Sequence, residues 1–372
     1  MVTGKLKTIA VLGAGHGGCA AAADLTARGH TVRLHARRDA ALEPLRKAGG
    51  INARGMQQGL FRIAKMTTDV AEAIDGVDLI MLVVPSSAHA YYATALAGLI
   101  GATVPIFLNP GHTGGGLHFL KELRDAGYHG PVKTGETVSL TYVTRMEGPA
   151  TVGIYSYMRN QRFAALPGRH ADEIFDMVHA IYPETIKASS VIETALGNMN
   201  AVFHPPGMVL NAGWIQRTNG DFLFYKEGVT DAVGRACQAI DEERLAVAKQ
   251  LDVPARPFLD NFYGAGLTSK EAYESGSISR ACEESEPNKT IKSPPSLDHR
   301  YVHEDIGYGL VPYAAFGRLA GVPTPAIDAM VLLASIATGI DYAVQGLTLS
   351  KMGLDGMNVL ELKHFVETGE RA

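Results

Sequence analysis

Short apolar runs alternate with helical patterns through the first half of the chain. The apolar runs predict strands at 7–12, 31–35, 78–84 and 104–108, followed by further strands at 131–136, 139–145 and 150–156. The segments between the first strands predict helices at 16–28, 39–48, 69–75, 87–99 and 115–126. This alternation is typical of an α/β domain with a doubly wound, Rossmann-type parallel sheet, whose ligands bind beyond the carboxyl ends of the strands.

The second half of the chain has a helical period instead. Apolar positions there predict helices at 191–204, 229–251 and 324–345. We therefore expect two domains: a Rossmann-type domain at 1–188 and a mainly helical, all-α domain at 189–372.

A glycine-rich loop joins the first predicted strand to the first predicted helix. It reads Gly13-Ala-Gly15-His16-Gly17-Gly18 and contains the G-x-G-x-x-G spacing. In this context Gly13 makes a tight turn, Gly15 admits a pyrophosphate and Gly18 permits close packing of helix on strand. The helix N-terminus then offers free N–H groups to the phosphates, with His16 and Gly17 beside them. The loop predicts a dinucleotide site.

The end of the second predicted strand bears on the choice of dinucleotide. Enzymes that use NAD commonly carry an acidic residue there, which binds the ribose 2′-hydroxyl. This chain has Ala36, followed by Arg37 and Arg38. Because guanidinium groups bind phosphate in a two-pronged geometry, we expect NADP(H) to be preferred, with NAD(H) possible. The alternative is that both arginines are ordinary solvated residues at a helix start.

Two loops follow later strands of the predicted sheet and are expected to flank the cofactor. They comprise residues 84–89 and 108–116. Pro85, His89 and Asn109 are therefore candidate cofactor-binding residues.

The first predicted helix of the second half carries a polar stripe. Glu193, Gly197, Asn200 and His204 are spaced by four, three and four residues, which predicts one helix face. Pro205 is expected to end the helix and to leave His204 at its carboxyl end. There the helix dipole favours a protonated imidazole, suited to moving protons to or from a substrate. The alternative is a structural histidine, with Asn200 as a hydrogen bonder at the helix end.

A second polar segment supplies partners for such a histidine. It runs from Asp298 to Asp305, includes Arg300, and is followed by an apolar Gly-Leu-Val-Pro. An imidazole that acts as acid and base needs a carboxylate to fix its tautomer, and a carboxylated substrate needs a cation. This segment offers both a carboxylate and an arginine.

At these positions the chain resembles the octopine/nopaline (opine) dehydrogenases over nearly its whole length. The resemblance is carried by the Gly13/Gly15/Gly18 loop, Val84-Pro85 with His89, Asn109-Pro-Gly111 with Gly114-Gly115, Glu136-Thr137 with Tyr142 and Arg145, Asn200-x-x-x-His204-Pro205, and Arg300-Tyr-x-x-Glu-Asp305 before Gly-Leu-Val-Pro312. Related glycerol-3-phosphate and β-hydroxyacid dehydrogenases use a catalytic lysine on the corresponding helix, whereas residues 191–204 contain no lysine.

The resemblance implies a reaction and roles for individual residues. An amino acid and an α-keto acid condense to an imine, which NAD(P)H reduces by hydride transfer to a secondary amine. His204 and Asp305 are then the catalytic proton-transfer pair, and Arg300 binds a substrate carboxylate. Asn200 and Arg318 are further substrate-binding candidates, and Glu136 joins the cofactor-binding candidates.

Composition changes this picture little. The net charge of −4 gives no reason to expect nucleic acid or an anionic membrane as a partner. Three widely spaced cysteines argue against a disulfide framework and fit a cytoplasmic protein, and none has metal-ligand spacing. The first strand begins within a few residues of the N-terminus, so no signal peptide is expected. We expect a homodimer that acts on small molecules.

Two other functions fit the same residues. One is an NAD(P)-dependent hydroxy-acid or alcohol dehydrogenase that uses the same His204/Asp305 pair and needs no amine. The other, more distant, is a sensor that binds NADP(H) without turnover, although a sensor has no need of a proton-transfer pair.

Overall fold

The computed structural model describes residues 7–101 and 104–371. The expectation of no signal peptide rests partly on residues 1–6, which lie outside the described residues. The chain forms two compact units: unit 1 contains the residues up to Thr194 together with the segment from Lys363, and unit 2 contains Ala195–Leu362. The change of unit thus lies six residues beyond the predicted boundary at 188/189.

The C-terminal segment also differs from the prediction, which placed it in the helical domain. It packs on unit 1, where two glycines allow a close approach. A Cβ atom on Gly168 would lie 2.5 Å from Glu367 Oε2, and one on Gly369 would lie 2.6 Å from the Pro167 side chain.

Unit 1 contains two sheets. The strands are β1 (Thr8–Leu12), β2 (Thr31–His35), β3 (Ile51–Gly55), β4 (Gly59–Phe61), β5 (Lys65–Thr67), β6 (Leu79–Leu82), β7 (Ile106–Leu108), β8 (Thr134–Thr137), β9 (Tyr142–Gly148), β10 (Thr151–Tyr157), β11 (Gln161–Leu166) and β12 (Thr185–Lys187). The eight-stranded sheet has the order β12-β11-β8-β7-β6-β1-β2-β5, and all its pairs are parallel except β8 with β11. This is the predicted doubly wound sheet, and its order reverses at β1, between β2 and β6.

The second sheet was not predicted. Its order is β4-β3-β10-β9, so the segments predicted at 139–145 and 150–156 do form strands, but outside the large sheet. Strand β3 pairs with β10, about 100 residues later in the chain, and no local pattern specifies such a pairing.

The helices of unit 1 follow the predicted alternation. They are α1 (His16–Ala27), α2 (Glu43–Lys47), α3 (Val70–Ile74), α4 (His89–Ala97), α5 (Gly115–Asp125), α6 (Ala171–Ile181) and α7 (Val191–Ala195). Helix α1 contacts strands of both sheets. Its side chains are therefore small and buried on all sides, in a run from Cys19 to Ala23.

Unit 2 is helical, as predicted. Its helices are α8 (Asn200–Val209), α9 (Ala212–Thr218), α10 (Asp231–Gln250), α11 (Phe258–Gly264), α12 (Lys270–Glu274), α13 (Ile278–Glu283), α14 (Arg300–Asp305), α15 (Val311–Ala320), α16 (Pro325–Thr338), α17 (Tyr342–Gln345) and α18 (Val359–Thr368), which continues into the C-terminal segment. Two segments are π-helical, Phe224–Gly228 and Ile306–Leu310. The helix predicted over 324–345 ends at Thr338 because Gly339 takes a left-handed φ of +73°.

Within the described residues, no single helix is both long and apolar enough to cross a membrane. A bent pair, Pro325–Thr338 with Tyr342–Met352, meets the length and composition criteria only jointly, across a 111° bend.

Candidate active site

The glycine loop of unit 1 has the shape that a dinucleotide site requires. Gly13 has a φ of +120°, and a Cβ atom there would lie 2.3 Å from the Val83 carbonyl oxygen. A Cβ atom on Gly18 would lie 1.8 Å from the Gly13 carbonyl oxygen, so helix and strand meet only because both residues lack side chains. By contrast, no atom lies within 4 Å of the Cβ position of Gly15, at the open N-terminus of α1. The loop therefore fits a pyrophosphate.

The neighbouring loop residues complete this cradle. His16 is exposed as the first residue of α1. A Cβ atom on Gly17 would lie 2.9 Å from side-chain atoms of Leu140 and Val83, so this glycine is needed for packing. The cofactor contacts predicted for these two residues stay predictions.

Arg37 and Arg38 are exposed beyond the end of β2. The Arg37 guanidinium lies over the Tyr91 ring, with 5.4 Å between the Cζ atom and the ring centroid. The ring of Tyr92 is edge-on to that of Tyr91, and its hydroxyl lies 3.1 Å from Nδ1 of the buried His35. This aromatic series orients one of the two cations where a 2′-phosphate is expected.

Two predicted cofactor-binding residues lie at the end of β6. Pro85 is exposed just before α4, and His89 is fully buried as the first residue of that helix. A Cβ atom on Gly115 would lie 2.9 Å from the His89 ring, which packs α4 against α5. Burial of His89 favours a packing function, and its predicted contact with the cofactor stays a prediction.

Asn109 has a clear structural function at the end of β7. It is fully buried, its side-chain amide donates to Thr141 Oγ1 at 2.8 Å, and its Oδ1 accepts from the Thr141 N–H at 3.0 Å. Both ends of the amide thus hold the loop before β9. Its predicted contact with the cofactor stays a prediction.

Glu136 is a buried carboxyl group at the N-terminus of α5. Its Oε2 accepts from the Gly116 N–H at 2.8 Å, and its Oε1 lies 2.5 Å from Thr194 Oγ1. Burial raises the pKa of Glu136 to about 7, although these two hydrogen bonds act in the opposite direction. The Thr194 hydroxyl also lies 3.0 Å from the Val191 carbonyl oxygen. The Thr194 hydroxyl therefore shares its one hydrogen between Glu136 Oε1 and the Val191 carbonyl oxygen.

The helix predicted over 191–204 is wrong in its middle. It is broken between α7 and α8, so Glu193 and His204 do not share a helix face. The carbonyl groups of the break have other partners, since Leu196 accepts from Arg244 Nη1 at 2.5 Å and Asn198 accepts from the Tyr313 hydroxyl at 2.7 Å. These buried donors come from distant helices and replace helical hydrogen bonds.

Glu193 belongs to unit 1 and has structural partners there. Its Oε1 forms an ion pair with Arg162 Nη1 at 2.8 Å, and its Oε2 accepts from the Ser189 N–H at 2.7 Å. The residues of the predicted polar stripe therefore belong to two helices: Glu193 holds the start of α7, whereas Asn200 and His204 lie on α8.

The position of His204 on its helix also differs from the prediction. Helix α8 continues through Pro205 and Pro206 to Val209, so His204 lies in the middle of the helix rather than at its carboxyl end. Proline has a helical φ, but it lacks the N–H and crowds the carbonyl four residues earlier, and the packing of the buried helix α8 outweighs this cost. The proposed assistance from the helix dipole is therefore wrong for His204.

The predicted partner of His204 is nevertheless in place. Its Nδ1 lies 2.7 Å from Asp305 Oδ2, and both residues are buried, at 5% and 1% exposure. An Nδ1–H that donates to this carboxylate leaves Nε2 to accept or carry the second proton. Burial lowers the pKa of His204, whereas the charge of Asp305 acts to raise it.

Helix α14 brings Asp305 to this position through a close helix contact. The π-helical turn Ile306–Leu310 follows Asp305 directly, and a Cβ atom on Gly309 would lie 2.7 Å from the Ala201 Cβ atom of α8. Glycine at 309 therefore lets the two helices approach. Such π-helical turns are common at functional sites.

Two tyrosines that the sequence analysis did not single out border the imidazole. Tyr301 stacks on His204 with ring centroids 3.6 Å apart and planes 13° apart. The Tyr225 hydroxyl lies 3.4 Å from His204 Nε2, and burial raises the pKa of Tyr225 well above its ordinary value. Tyr225 comes from the π-helical segment Phe224–Gly228, which no simple periodicity indicates.

The predicted substrate-binding residues lie at different places in unit 2. Arg300, the first residue of α14, has a side chain 58% exposed and forms an ion pair with Glu304 Oε2 at 3.0 Å. Asn200 begins α8, one helical turn before His204. The structure thus gathers Arg300 and Asn200 on the two helices that carry the pair.

Arg318 lies apart from these residues. Residues 300–320 are helical throughout, so Arg318 is about 20 Å along the helix from Asp305 at the usual helical rise. Its guanidinium lies 3.7 Å from Asp328 Oδ1. Its function in substrate binding stays a prediction.

Comparisons with known proteins give separate matches for the two halves of the chain. Residues 8–122 match the N-terminal domain of NAD-dependent glycerol-3-phosphate dehydrogenase. Residues 187–338 match the alpha-helical domain of NAD/NADP octopine/nopaline dehydrogenase. The chain is 35% identical over 366 residues to an opine dehydrogenase of Arthrobacter sp. (strain 1C), covering 97% of this chain and 99% of the relative.

Solved structures show the same fold. An octopine dehydrogenase solved with NADH and L-arginine has a TM-score of 0.77 at 20% identity, covering 98% of this chain and 99% of that one. A yersinopine dehydrogenase solved with NADP⁺ has a TM-score of 0.73 at 16% identity, covering 98% of both chains. Together with the identity to the Arthrobacter enzyme, the glycine loop and the His204–Asp305 pair, these matches show that the chain belongs to the opine dehydrogenase family of NAD(P)-dependent oxidoreductases that act on CH–NH groups.

Proposed function

We propose that the chain condenses the amine of an amino acid with an α-keto acid and reduces the resulting imine, and that His204 and Asp305 move the protons of this reaction. The observation that carries the proposal is the 2.7 Å contact between His204 Nδ1 and Asp305 Oδ2 inside a buried aromatic cluster. A sensor that only binds a nucleotide does not need this pair.

The bound NAD(P)H supplies the hydride that reduces the imine carbon. The chain supplies proton transfer and orientation. Asp305 accepts the Nδ1–H of His204 and stabilises the imidazolium when Nε2 is also protonated. His204 then gives the Nε2 proton to the oxygen that leaves as water, and can take a proton from the attacking amine. Because burial lowers the pKa of His204, the neutral, basic form is available near neutral pH.

Arg300 is the proposed anchor for a substrate carboxylate. It lies at the N-terminus of the helix that carries Asp305, and more than half of its side chain is exposed. Glu304 orients the guanidinium from one side, which leaves its other N–H groups to bind an anion in the two-pronged geometry. Asn200 is the neutral hydrogen-bonding candidate, and Arg318 is the second and more distant cation.

NADP(H) is the proposed preferred cofactor, with NAD(H) as a possible substitute. Arg37, held over Tyr91, and Arg38 replace the acidic residue that binds a ribose 2′-hydroxyl. Replacing both arginines by alanine should weaken NADPH binding about tenfold or more and leave NADH binding nearly unchanged, since each charge-assisted bond contributes about 1.5–3 kcal/mol. Binding is followed by nucleotide fluorescence. A wild-type protein that binds NADH more tightly would contradict the assignment.

A homodimer is proposed from the surface of unit 2. Helices α16 and α17 expose a group of large apolar side chains, namely Leu332, Leu333, Ile336 and Val344. Light scattering during gel filtration tests this: wild type should elute as a dimer, and Ile336→Glu should shift it towards the monomer.

A cytoplasmic location is proposed from the cysteines. Cys19, Cys237 and Cys282 are free and buried, which suits a reducing compartment. Cell fractionation tests it directly.

One assay tests the proposed reaction and separates it from its alternatives. Purified protein is mixed with NADPH and a panel of α-keto acids, with and without a panel of amino acids, and NADPH absorbance is followed. We expect oxidation only when both substrates are present. Oxidation with keto acid alone would favour a hydroxy-acid dehydrogenase. Tight NADPH binding with no oxidation across the panels would favour a sensor.

A further inference from the structure

The second nitrogen of His204 points to a buried hydroxyl. Asp305 binds Nδ1, so proton transfer has to use Nε2, and the Tyr225 hydroxyl lies 3.4 Å from this atom. His204 and Tyr225 are only 5% and 6% exposed. A proton that reaches or leaves Nε2 between reaction cycles therefore needs a path through the protein.

A second hydroxyl extends this path. The Tyr301 side chain interacts with the Tyr225 hydroxyl. Tyr301 stacks on the His204 ring and is partly exposed, whereas Tyr225 is buried. When Tyr225 donates to Tyr301, its oxygen has lone pairs free to accept from His204 Nε2–H.

Several charged and titratable groups face the imidazole. The charges of Asp305 and Glu304 favour the imidazolium, and that of Arg300 opposes it. His299 also interacts electrostatically with His204. These groups set the charge of the ring, and the Tyr225 hydroxyl is the hydrogen-bond partner of Nε2.

We propose that Tyr225 is a positioning residue that relays protons: its oxygen accepts the Nε2–H of the His204 imidazolium while its own hydrogen passes to the Tyr301 hydroxyl and from there to water. This rests on the proposed proton-transfer function of His204 and Asp305. In the opposite direction, water gives a proton to Tyr301, whose hydrogen moves to Tyr225 as the hydrogen of Tyr225 moves to Nε2. No net charge remains on either tyrosine.

The high pKa of Tyr225 restricts how the relay works. Burial disfavours a phenolate at this position, so the relay keeps Tyr225 un-ionised. Replacement by phenylalanine keeps the ring packing and removes the acceptor. The imidazolium then has an unsatisfied Nε2–H, which costs more than the loss of a bond to the neutral ring because bonds to charged groups are stronger.

The first experiment uses the protein without substrates. Histidine labelled with ¹⁵N is incorporated, and the His204 resonances are assigned by their absence in His204→Gln. Tyr225→Phe should lower the His204 titration midpoint by about half to one pH unit, the shift expected for loss of one modest hydrogen bond to the charged form. Tyr182→Phe is the matched control: Tyr182 is a buried tyrosine of unit 1, and its hydroxyl lies 2.8 Å from that of Tyr142. It should leave the midpoint unchanged.

The second experiment measures turnover with whichever substrate pair the NADPH panel identifies. Tyr225→Phe should lower kcat about tenfold or more, leave KM nearly unchanged and increase the solvent deuterium isotope effect, because proton exchange becomes slow. Tyr301→Phe should have a smaller effect of the same kind and provides the test if Tyr225→Phe fails to fold. Tyr182→Phe should match wild type.

An unchanged titration midpoint together with an unchanged isotope effect in Tyr225→Phe would overturn the relay. If the panel yields no turnover, the titration still tests the contact to Nε2, so failure of the relay is distinguishable from failure of the proposed function.

Discussion

Two buried aspartates of this chain have opposite surroundings. Asp24 in unit 1 and Asp305 in unit 2 are 0% and 1% exposed. Four side chains donate to Asp24: Tyr142 at 2.9 Å, Tyr157 at 2.7 Å, Gln57 at 2.8 Å and Arg28 at 3.0 Å. Asp305 has one side-chain partner, His204, and its Oδ1 has no hydrogen-bond partner among the described residues.

The difference indicates what each carboxylate does. The partners of Asp24 lie just after the end of α1, on β9 and β10 and near β4, so this carboxylate holds the second sheet against the first helix. Its charge is fully compensated by donors, and the network contributes to stability. Because few donors compensate the charge of Asp305, this charge acts mainly on the imidazole of His204. An incompletely satisfied buried carboxylate costs stability and is expected where its charge acts in a reaction.

The largest expected effect is on turnover and concerns the partner of Asp305. His204→Ala should lower kcat by about a hundredfold or more, the usual scale for loss of a general acid or base, and leave NADPH binding intact. Steady-state rates and nucleotide fluorescence measure both. His179→Ala is a suitable control, because His179 also stacks on an aromatic ring, that of Phe175, but lies on α6. A His204→Ala enzyme with kcat near wild type would remove His204 from the mechanism.

The next effect is on stability and concerns Asp24. Asp24→Asn should lower the free energy of unfolding by about 3 kcal/mol, since Arg28 loses its buried counter-charge, while kcat per folded molecule stays near wild type. Urea unfolding followed by circular dichroism measures it. Asp305→Asn should show the reverse pattern, with a large loss of kcat and a small loss of stability. If both variants lose stability and activity alike, the contrast between the two carboxylates is wrong.

A third buried carboxyl group, that of Glu136, extends the comparison to the pH dependence of stability. Burial raises the pKa of Glu136 from 4.5 to about 7, so the folded state binds more protons than the unfolded state between these values. Its contribution to stability is then present below pH 4.5 and is lost as pH rises through 7. Glu136→Gln should remove this dependence, with a relative gain of up to about 3 kcal/mol at pH 8 and little change at pH 4.5. Urea unfolding at the two pH values tests it, and parallel wild-type and variant curves would contradict it.

Local signals in the sequence predicted the large sheet, the glycine loop and the contact between His204 and Asp305. The loop was predictable because its glycines are required by the backbone itself: Gly13 and Gly18 tolerate no Cβ atom. The contact was predictable through the family resemblance and the need of an acid–base histidine for a carboxylate.

Other features depend on contacts between distant segments. The break between α7 and α8 is stabilised by Arg244 and Tyr313, more than 45 residues away in the chain. Helix α8 passes through Pro205, against the usual preference, because it is buried on all sides. Tyr225 reaches His204 through a π-helical segment. In each case tertiary packing overrides the local signal, so the predicted helix and the predicted helix end were wrong.

The most direct test of the account is a double-mutant cycle on His204 and Asp305. The steady-state kcat is measured for His204→Ala, Asp305→Asn and the double variant, with NADPH affinity measured in each. Residues that act as one unit are non-additive, so the double variant should be little slower than the slower single variant, with NADPH affinity unchanged throughout. Losses that multiply in the double variant would show that the two side chains work separately and would contradict the proton-transfer pair.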